Sequence, residues 1–420
     1  MTRRTLAPLA PPVLVVFCWT LTFAIAGVAL LLPQQFDFVP VFMAREDITL
    51  AGFSYLGSLW IALCLLVYLT ADFGTKFALP RDVPFQITMN GNRAAKLCFC
   101  ANMVFLGITA VWVMTAAKAV GGLNELAALV YADSLAARDL LLQNKLFTGM
   151  RLFYAALPAT GALAAVLLAV RRATGLSPRS RRLCQFTFAV NLCALLILPV
   201  VMSQRLLLLQ FLLSSYAGVC MVRGRVVGVG YIPLGVVLFL VTWTLREAVT
   251  NPSLPDAAFS VGMQKLAFYF VNDLWNSYRP LASEISHTLG LFTLRGVLFF
   301  TFTDGYFAQV LSERMLAIEE VRGGGDFSIF TAPYVDFGPF FGILFVSGMA
   351  VVFRYTYWIG RRSVIGAVIY GQVAASLPFS THGVYFTHHN FLFSVVVLLM
   401  LARAAGPVLG YMAHPNLRHV

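Results

Sequence analysis

A short polar segment near the C-terminal end of the chain, STHGVYFTHHN at 380–390, contains three of the six histidines, His382, His388 and His389. Imidazole titrates near neutral pH and is therefore a plausible general base. We predict that His388 and His389 are catalytic. Asp336, in the segment TAPYVDFG, is a third candidate base. Two other interpretations stay open: an aromatic and histidine-rich belt at the membrane interface, and a carboxylate favoured by the dipole in the first turn of a helix.

Arginines are the second group of side chains that could do chemistry. Arg205 follows Ser203 and Gln204 between two apolar segments that almost touch, so it lies at or just below a membrane surface. A charge at that depth is expensive unless it is paired or hydrated, and is by default a functional candidate. Guanidinium groups bind phosphate in a bidentate manner. The predicted substrate-binding residues are Arg205, Arg279, Arg138, Arg314, Arg322 and Tyr334.

The alternative interpretation of these arginines is structural. Arg205 could extend its guanidinium to lipid headgroups. Glu313, Glu319 and Glu320 lie close in sequence to Arg314 and Arg322, so that segment could be an ordinary solvated loop of mixed charge. No spacing typical of metal ligands is present, and the histidine segment has no carboxylate near it in sequence. We therefore predict neither a metal nor another cofactor.

The elements that must position these residues are membrane helices. Hydrophobic residues make up 59% of the 420 positions, charged residues 11%, and the mean hydropathy is +0.80. These charges are too few to cover a water-exposed globule. The apolar segments predict an all-α bundle, one membrane domain over 1–420, with about ten spans. The predicted spans are 12–32, 49–71, 94–117, 150–170, 183–202, 206–222, 226–245, 332–353, 363–380 and 390–409.

The distribution of basic residues predicts the orientation of this bundle. Eighteen of the 30 Lys and Arg residues fall in the N-terminal segment and in the short loops on one side, together with only Asp72 and Asp82 of the 18 acidic residues. The positive-inside rule then places both termini in the cytoplasm. Because the net charge of +12 follows this topology, no nucleic-acid partner is predicted. Two large outer loops are predicted, at 118–149 and 246–331.

Two motifs resemble those of the bacterial O-antigen polymerases, which join oligosaccharide repeat units. One is SQR at 203–205 followed by a leucine-rich span, and the other is YVDFG at 334–338 followed by Gly342. The family is also described with an arginine and a glycine separated by ten residues in each of two outer loops. Arg138 and Gly149 match that spacing in the first outer loop, and Arg314 and Gly325 match it in the second.

This resemblance implies a GT-C-like membrane glycosyltransferase that needs no metal. It would act at the periplasmic face of the bacterial inner membrane, on oligosaccharide repeat units carried by undecaprenyl diphosphate. The product would be O-antigen, capsule or exopolysaccharide. The implied partners are this lipid-linked substrate, membrane lipid and a chain-length regulator of the polysaccharide co-polymerase type.

Three other functions stay open. A polyprenyl-phosphate-sugar glycosyltransferase would need acidic residues in its first outer loop, and Glu46 and Asp47 occur there, but the loop is short. A flippase or other transporter for lipid-linked oligosaccharide would often show two related halves, which this chain lacks. An O-antigen ligase has a His-Asn pair just before a late span. Here His389-Asn390 occurs one hairpin later, which favours the polymerase.

Overall fold

The structure, a computed structural model, describes residues 6–80, 85–87, 89–202, 206–250, 258–406 and 410–411. In this part of the chain the fold is helical except for strands β1 (Gln86–Ile87) and β2 (Gly410–Tyr411), which pair antiparallel. The α-helices, in chain order, are α1 (Pro11–Leu31), α2 (Phe38–Arg45), α3 (Tyr55–Ala78), α4 (Gly91–Ala119), α5 (Leu123–Ala132), α6 (Ser134–Gln143), α7 (Met150–Ala155), α8 (Leu157–Ala169), α9 (Pro178–Met202), α10 (Leu206–Arg223), α11 (Ile232–Thr250), α12 (Ala258–Tyr278), α13 (Arg295–Phe300), α14 (Asp304–Val310), α15 (Ser312–Glu319), α16 (Thr331–Gly360), α17 (Val364–Ser376) and α18 (His389–Ala405). Short 3₁₀-helices occupy Ala7–Leu9, Pro33–Gln35, Leu50–Gly52, Val229–Tyr231, Arg279–Ala282, Leu377–Phe379 and Tyr385–Thr387.

Seven helical segments of the described chain are long and apolar enough to cross a membrane. They are Pro11–Leu31, Tyr55–Ala78, Gly91–Ala119, Met150–Ala169, Pro178–Leu198, Leu206–Arg223 and Thr331–Gly360. These segments overlap seven of the predicted spans and confirm a multi-pass helical membrane protein. The other three predicted spans correspond to the shorter apolar helices Val229–Leu245, Val364–Phe379 and His389–Ala405. The count of ten spans therefore stays a prediction.

Small side chains allow close helix–helix contacts in parts of the core. Helix α10 packs between α8 and α17, and α16 packs against α3. Gly218 of α10 lies against Val166 and Ala367, where an added Cβ would come within 2.8 Å of the Val166 side chain. Small residues allow this close approach, which is the usual basis of helix packing inside a membrane. In this bundle α17 packs against both α16 and α18.

A buried ion pair links two of these helices. Arg354 of α16 donates two hydrogen bonds to the carboxylate of Asp72 on α3, with its Nε 2.8 Å from Oδ1. Both side chains are less than 10% exposed. From sequence, Asp72 is one of the two acidic residues on the inner side, and Arg354 is one of the 18 basic residues there. Arg354 instead faces the bundle interior, because a charge at this depth is stabilised by pairing with a carboxylate on the neighbouring helix.

The segment 246–331, which is the second predicted outer loop, contains helices α12 to α15 among its described residues. Helix α12 within it packs against α1, α2 and α11, and its second half is buried. Its polar side chains Asn272, Asp273 and Asn276 face inward, where they bind other segments of the chain. The predicted loop 118–149 likewise contains α5 and α6, which pack on each other.

Candidate active site

The helix α16 is broken near one end by the sequence Gly338-Pro339. Gly338 has φ 75° and ψ −176°, and Pro339 has no N–H to donate to the carbonyl four residues earlier. The carbonyl of Val335 accepts a hydrogen bond from the Thr288 N–H at 3.3 Å, and the carbonyl of Asp336 accepts one from Leu289 N–H at 3.0 Å. The break in the helix therefore supplies acceptors that hold the 287–289 turn against the bundle.

The Asp336 carboxylate extends this attachment. It is fully buried and accepts hydrogen bonds from the Thr288 hydroxyl, the Phe292 N–H at 3.3 Å, and both the N–H and the hydroxyl of Thr293 at 2.6 Å. Two carboxylate oxygens offer about four lone-pair directions. All four are occupied, so this side chain fixes the turn 288–293. To act as the predicted base, it would have to give up one of these bonds.

The glycine-rich segment 323–325 is held by α12. Asn276 accepts a hydrogen bond from the Gly323 N–H at 2.8 Å through its Oδ1 and donates to the Gly324 carbonyl at 3.2 Å through its Nδ2. Asn272 also donates to the Gly324 carbonyl. Gly325 follows with φ 106°, a backbone conformation that favours glycine. The polar face of α12 thus determines where the residues after Gly325 enter the site.

A histidine–carboxylate pair lies beside this segment. The Nδ1 of His382 is 2.6 Å from Oδ1 of Asp273 on α12. The His382 side chain is 21% exposed and that of Asp273 is 7% exposed. The His382 ring stacks on Tyr385 with an interplanar angle of 11°, and its edge meets Tyr269. This arrangement fixes the imidazole orientation and leaves Nε2 as the nitrogen that could exchange a proton.

The electrostatic environment of His382 favours its charged form. Burial by itself would lower the pKa, but the charge and hydrogen bond of Asp273, with a further contribution from Asp326, raise the pKa above the usual histidine value. A histidine with a raised pKa is a stronger base than a free imidazole. His382 is therefore the histidine best suited to accept a proton.

His388 has the opposite properties. Burial and the nearby charges of His389, Arg295 and Arg151 lower its pKa to about 2. Its Nδ1 accepts a hydrogen bond from the Asn390 N–H at 3.3 Å as α18 begins. The neutral ring therefore carries its proton on Nε2 and can donate a hydrogen bond, but it accepts a proton poorly.

A small cavity of about 20 Å³ lies next to these groups. Its lining includes the side chains of Arg295, Asp326, Tyr385 and His388, with Phe292 and Phe327 among the apolar residues. Tyr385 is also the residue that stacks on His382, so the histidine–carboxylate pair lies behind one wall of the cavity. A cation, a hydrogen-bond donor and a polarised histidine thus occur within one small region at the end of the bundle.

Positive charge is concentrated around this cavity. Arg151 lies near enough to Arg138 and Arg295 for repulsion between their charges, and His389 lies near Arg295 and Arg151. His389 stacks on Phe299 of α13 with ring centroids 5.0 Å apart. The predicted residues Arg138, His388 and His389 are therefore brought together, and Arg295 and Arg151 join them. The three arginines of this group carry the positive charge, and guanidinium groups suit a phosphate-bearing ligand.

Other predicted substrate-binding residues lie apart from the cavity or bind the protein itself. The exposed Arg314 donates to the His287 carbonyl at 2.7 Å, and Tyr334 packs on Trp60. Arg279 is half-buried in a 3₁₀-helix beside α3. Arg205 lies outside the described residues. The binding roles predicted for all four stay predictions.

Arg322 borders the cavity through its neighbours. It pairs with Glu319 at 2.6 Å and with Asp326 at 3.8 Å, and its guanidinium lies 6.0 Å from the centre of the Phe292 ring. The proximity of Glu319 to Arg322 in sequence already suggested an ordinary mixed-charge pair. The ion pair with Glu319 agrees with that mixed-charge interpretation. The second partner of Arg322, Asp326, lines the cavity.

The sequence placed His382 in the histidine segment but did not single it out as the base, and Asp273 and Arg295 were not predicted as site residues. Asp273 is separated from His382 by 109 positions and lies in a segment interpreted as a loop. The signal available was the polar series Asn272, Asp273 and Asn276, whose spacing places the side chains on one side of a helix. Arg295 was one of several outer basic residues, and nothing in its sequence context distinguished it from the rest.

No protein-family model matches this chain, and neither a curated protein nor a solved structure matches it. Within the described residues, no group of three or more His, Cys, Asp or Glu side chains is arranged to hold a metal ion.

Proposed function

We propose that this protein is a membrane glycosyltransferase that polymerises oligosaccharide repeat units carried on undecaprenyl diphosphate. The proposal includes the bacterial inner membrane as its location, the periplasm as the side on which the cavity opens, and cytoplasmic termini. The observation that supports it best is the juxtaposition of Arg295 and His388 in one cavity with the His382–Asp273 pair behind Tyr385. A diphosphate leaving group needs cations, and an acceptor hydroxyl needs a base.

The transfer step assigns one role to each group. The hydroxyl oxygen of the acceptor sugar forms a bond to the anomeric carbon of the donor chain. The bond from that carbon to the diphosphate oxygen breaks, and undecaprenyl diphosphate leaves with the electron pair. The acceptor hydroxyl lies beside the partly exposed His382, outside the small cavity. His382 accepts the hydroxyl proton at Nε2 and later releases it to water, while Asp273 stabilises the imidazolium. Arg295, with Arg138 nearby, stabilises the charge that develops on the diphosphate.

The test uses cells that depend on this protein for a surface polysaccharide. We expect His382→Gln and Arg295→Gln to eliminate long polymer while the protein remains in the membrane at normal abundance. The matched control is His287→Gln, since His287 contacts Tyr334 and Val335 at the other side of the 287–293 turn. Full-length polymer from both His382→Gln and Arg295→Gln, at normal abundance, would refute the proposed site.

A second measurement separates a polymerase from a flippase. In cells that lack the protein, a polymerase deficiency leaves single lipid-linked repeat units on the periplasmic side, where they are accessible to an added glycosidase. A flippase deficiency leaves them on the cytoplasmic side, where they are protected. Accumulation on the cytoplasmic side would overturn the proposed function.

A further inference from the structure

A second cavity, of about 620 Å³, lies where α8 is connected to α9. Its volume is within the range of small-molecule sites. The residues that line it are Arg171, Arg172, Gly175, Leu176, Pro178, Arg181, Arg182 and Gln185. Arg151, one of the arginines around the first cavity, lies at the start of α7, and Arg171 follows the end of α8. The two cavities are therefore at opposite ends of this helical pair.

The loop that forms the cavity is held in a defined conformation. Asn92 of α4 accepts a hydrogen bond from the Ser177 N–H at 2.8 Å and donates to the Gly175 carbonyl at 3.2 Å. Gly175 has φ 59°, and Thr174 packs so closely on Gly91 that a Cβ there would lie 2.7 Å from the Thr174 side chain. The arginines are thus presented by a fixed turn, so binding a ligand would not require ordering of this backbone.

The charges in this cavity have no acidic partners among the described residues. All four lining arginines are exposed, and none of them forms an ion pair there. No Asp or Glu occurs in the sequence between Asp139 and Glu247. Arg223, at the end of α10, lies near enough to Arg171 and Arg172 for their charges to repel. A ligand with negative charge would relieve this repulsion.

The apolar surroundings distinguish a lipid from a soluble anion. Leu176 forms part of the cavity lining, and Gln185 on α9 is followed by Phe186, which is 52% exposed on the surface of the helix. The Phe186 ring packs on the edge of Phe99 from α4, with centroids 6.0 Å apart. An apolar surface therefore continues from the arginine-lined cavity along two membrane-spanning helices, as an acyl chain beneath a headgroup requires.

We infer that this cavity binds the phosphate groups of an anionic phospholipid headgroup, with the acyl chains along Phe186 and Phe99. Basic pockets between membrane helices are suited to such headgroups, and guanidinium binds phosphate oxygens in a bidentate manner. A diphosphatidyl headgroup such as that of cardiolipin presents two phosphates, which matches two pairs of arginines. This inference does not depend on the proposed function.

The test measures lipid binding to the purified full-length protein in phosphatidylcholine nanodiscs by native mass spectrometry, with cardiolipin as the added probe. We expect Arg172→Gln/Arg181→Gln to weaken cardiolipin binding about tenfold or more, because two charge-assisted phosphate contacts are lost. The matched control is Arg179→Gln/Arg225→Gln. It removes the same charge from the start of α9 and from the segment after α10. It leaves every residue of the cavity lining unchanged, and should weaken binding by less than about twofold.

Two results would overturn the inference. Equal weakening by both double variants would show that cardiolipin responds to the general positive charge of this face and not to the cavity. Displacement of cardiolipin by inorganic pyrophosphate at the same phosphate concentration would show that the site takes a soluble phosphate compound and not a lipid. Thermal unfolding of each variant is measured in phosphatidylcholine nanodiscs. A midpoint equal to that of the wild type establishes that the fold is intact.

Discussion

The His382–Asp273 pair makes a quantitative prediction for the variant Asp273→Asn. This change removes a negative charge 2.6 Å from the Nδ1 of His382 and keeps the side-chain size. Burial, which lowers the pKa of His382, persists, while the largest opposing contribution is lost. A charge-assisted hydrogen bond contributes about 1.5–3 kcal/mol, and one pKa unit corresponds to about 1.36 kcal/mol. The pKa of His382 should therefore fall by about 1–2 units.

The assay is the pH dependence of polymer formation by the purified protein in liposomes, between about pH 5 and pH 9. A general base must be unprotonated, so the wild-type rate should rise with pH through the raised pKa of His382. In Asp273→Asn this rise should move to lower pH by about 1–2 units. The plateau rate should also fall, because the histidine becomes a weaker base and loses the partner that orients its ring.

A matched control uses Asp304→Asn, which removes one acidic charge close to His389 and leaves His382 untouched. The rise in rate should stay at its wild-type pH. If the rise stays in place in Asp273→Asn but moves in Asp304→Asn, His382 is not the base and the reasoning is refuted.

The His382–Asp273 pair should also make the stability of the fold depend on pH, in a direction that follows from the raised pKa of His382. The pKa of His382 is raised in the folded state, so protonation of His382 stabilises the folded protein. This stabilisation is fully present below the unfolded histidine pKa of about 6.5, and it is lost as pH rises through the folded pKa. Asp273→Asn should therefore lower the thermal unfolding midpoint most in mildly acidic buffer, and least in alkaline buffer. An equal loss at all pH values would contradict a raised pKa in the folded protein.

Three substitutions test the packing around the site through thermal unfolding of the purified protein. Asp72→Asn should destabilise the fold by about 3–5 kcal/mol, because Arg354 would be left as an unpaired buried charge, and Asp72→Leu/Arg354→Met should recover much of this loss. Asp336→Asn should cost about 1–3 kcal/mol, because an amide NH₂ in place of one oxygen would face the donors of Thr293. Gly338→Ala should cost about 1–3 kcal/mol, because φ is 75° and the new Cβ would lie 2.8 Å from the His287 ring.

Each substitution has its own control. Thr293→Val removes one donor to Asp336 and should destabilise the fold in the same direction as Asp336→Asn. Gly348→Ala lies in the same helix as Gly338 with nothing within 4 Å of its added Cβ, and should leave the unfolding midpoint unchanged. If Asp72→Asn unfolds at the wild-type temperature, the ion pair with Arg354 does not stabilise the fold.

The long spans could be predicted from sequence because an apolar run of the right length has no other stable environment than a membrane. The segments whose structure could not be predicted from sequence are those that bury polar residues. Helix α12 has inward-facing Asn272, Asp273 and Asn276, which form hydrogen bonds to segments far away in the chain, so its composition resembles that of a loop. Polar residues that are satisfied by tertiary contacts cannot be distinguished from solvated ones by composition alone.

The candidate site, too, could be predicted from sequence only in part. The histidine segment could be identified because imidazole chemistry is a property of the residue type. Which histidine is the strongest base depends on the neighbours: Asp273 raises the pKa of His382, whereas burial and nearby cations lower the pKa of His388. The carboxylate that the histidine segment lacked in sequence is supplied across 109 positions by Asp273. Similarly, Asp336 could be recognised as an unusual carboxylate, but its four donors come from another segment.

The break at Gly338-Pro339 divides α16 into two parts that contact different segments of the chain. The part before it, 331–337, is bonded to the 287–293 turn, while the long part after it packs against α3 and carries Arg354. Substitutions in the 287–293 turn and in 331–337 therefore affect different contacts from substitutions in α16 after Pro339. Grafting the 287–337 region between related chains would therefore change the contacts of the 287–293 turn and keep the packing of α16 against α3.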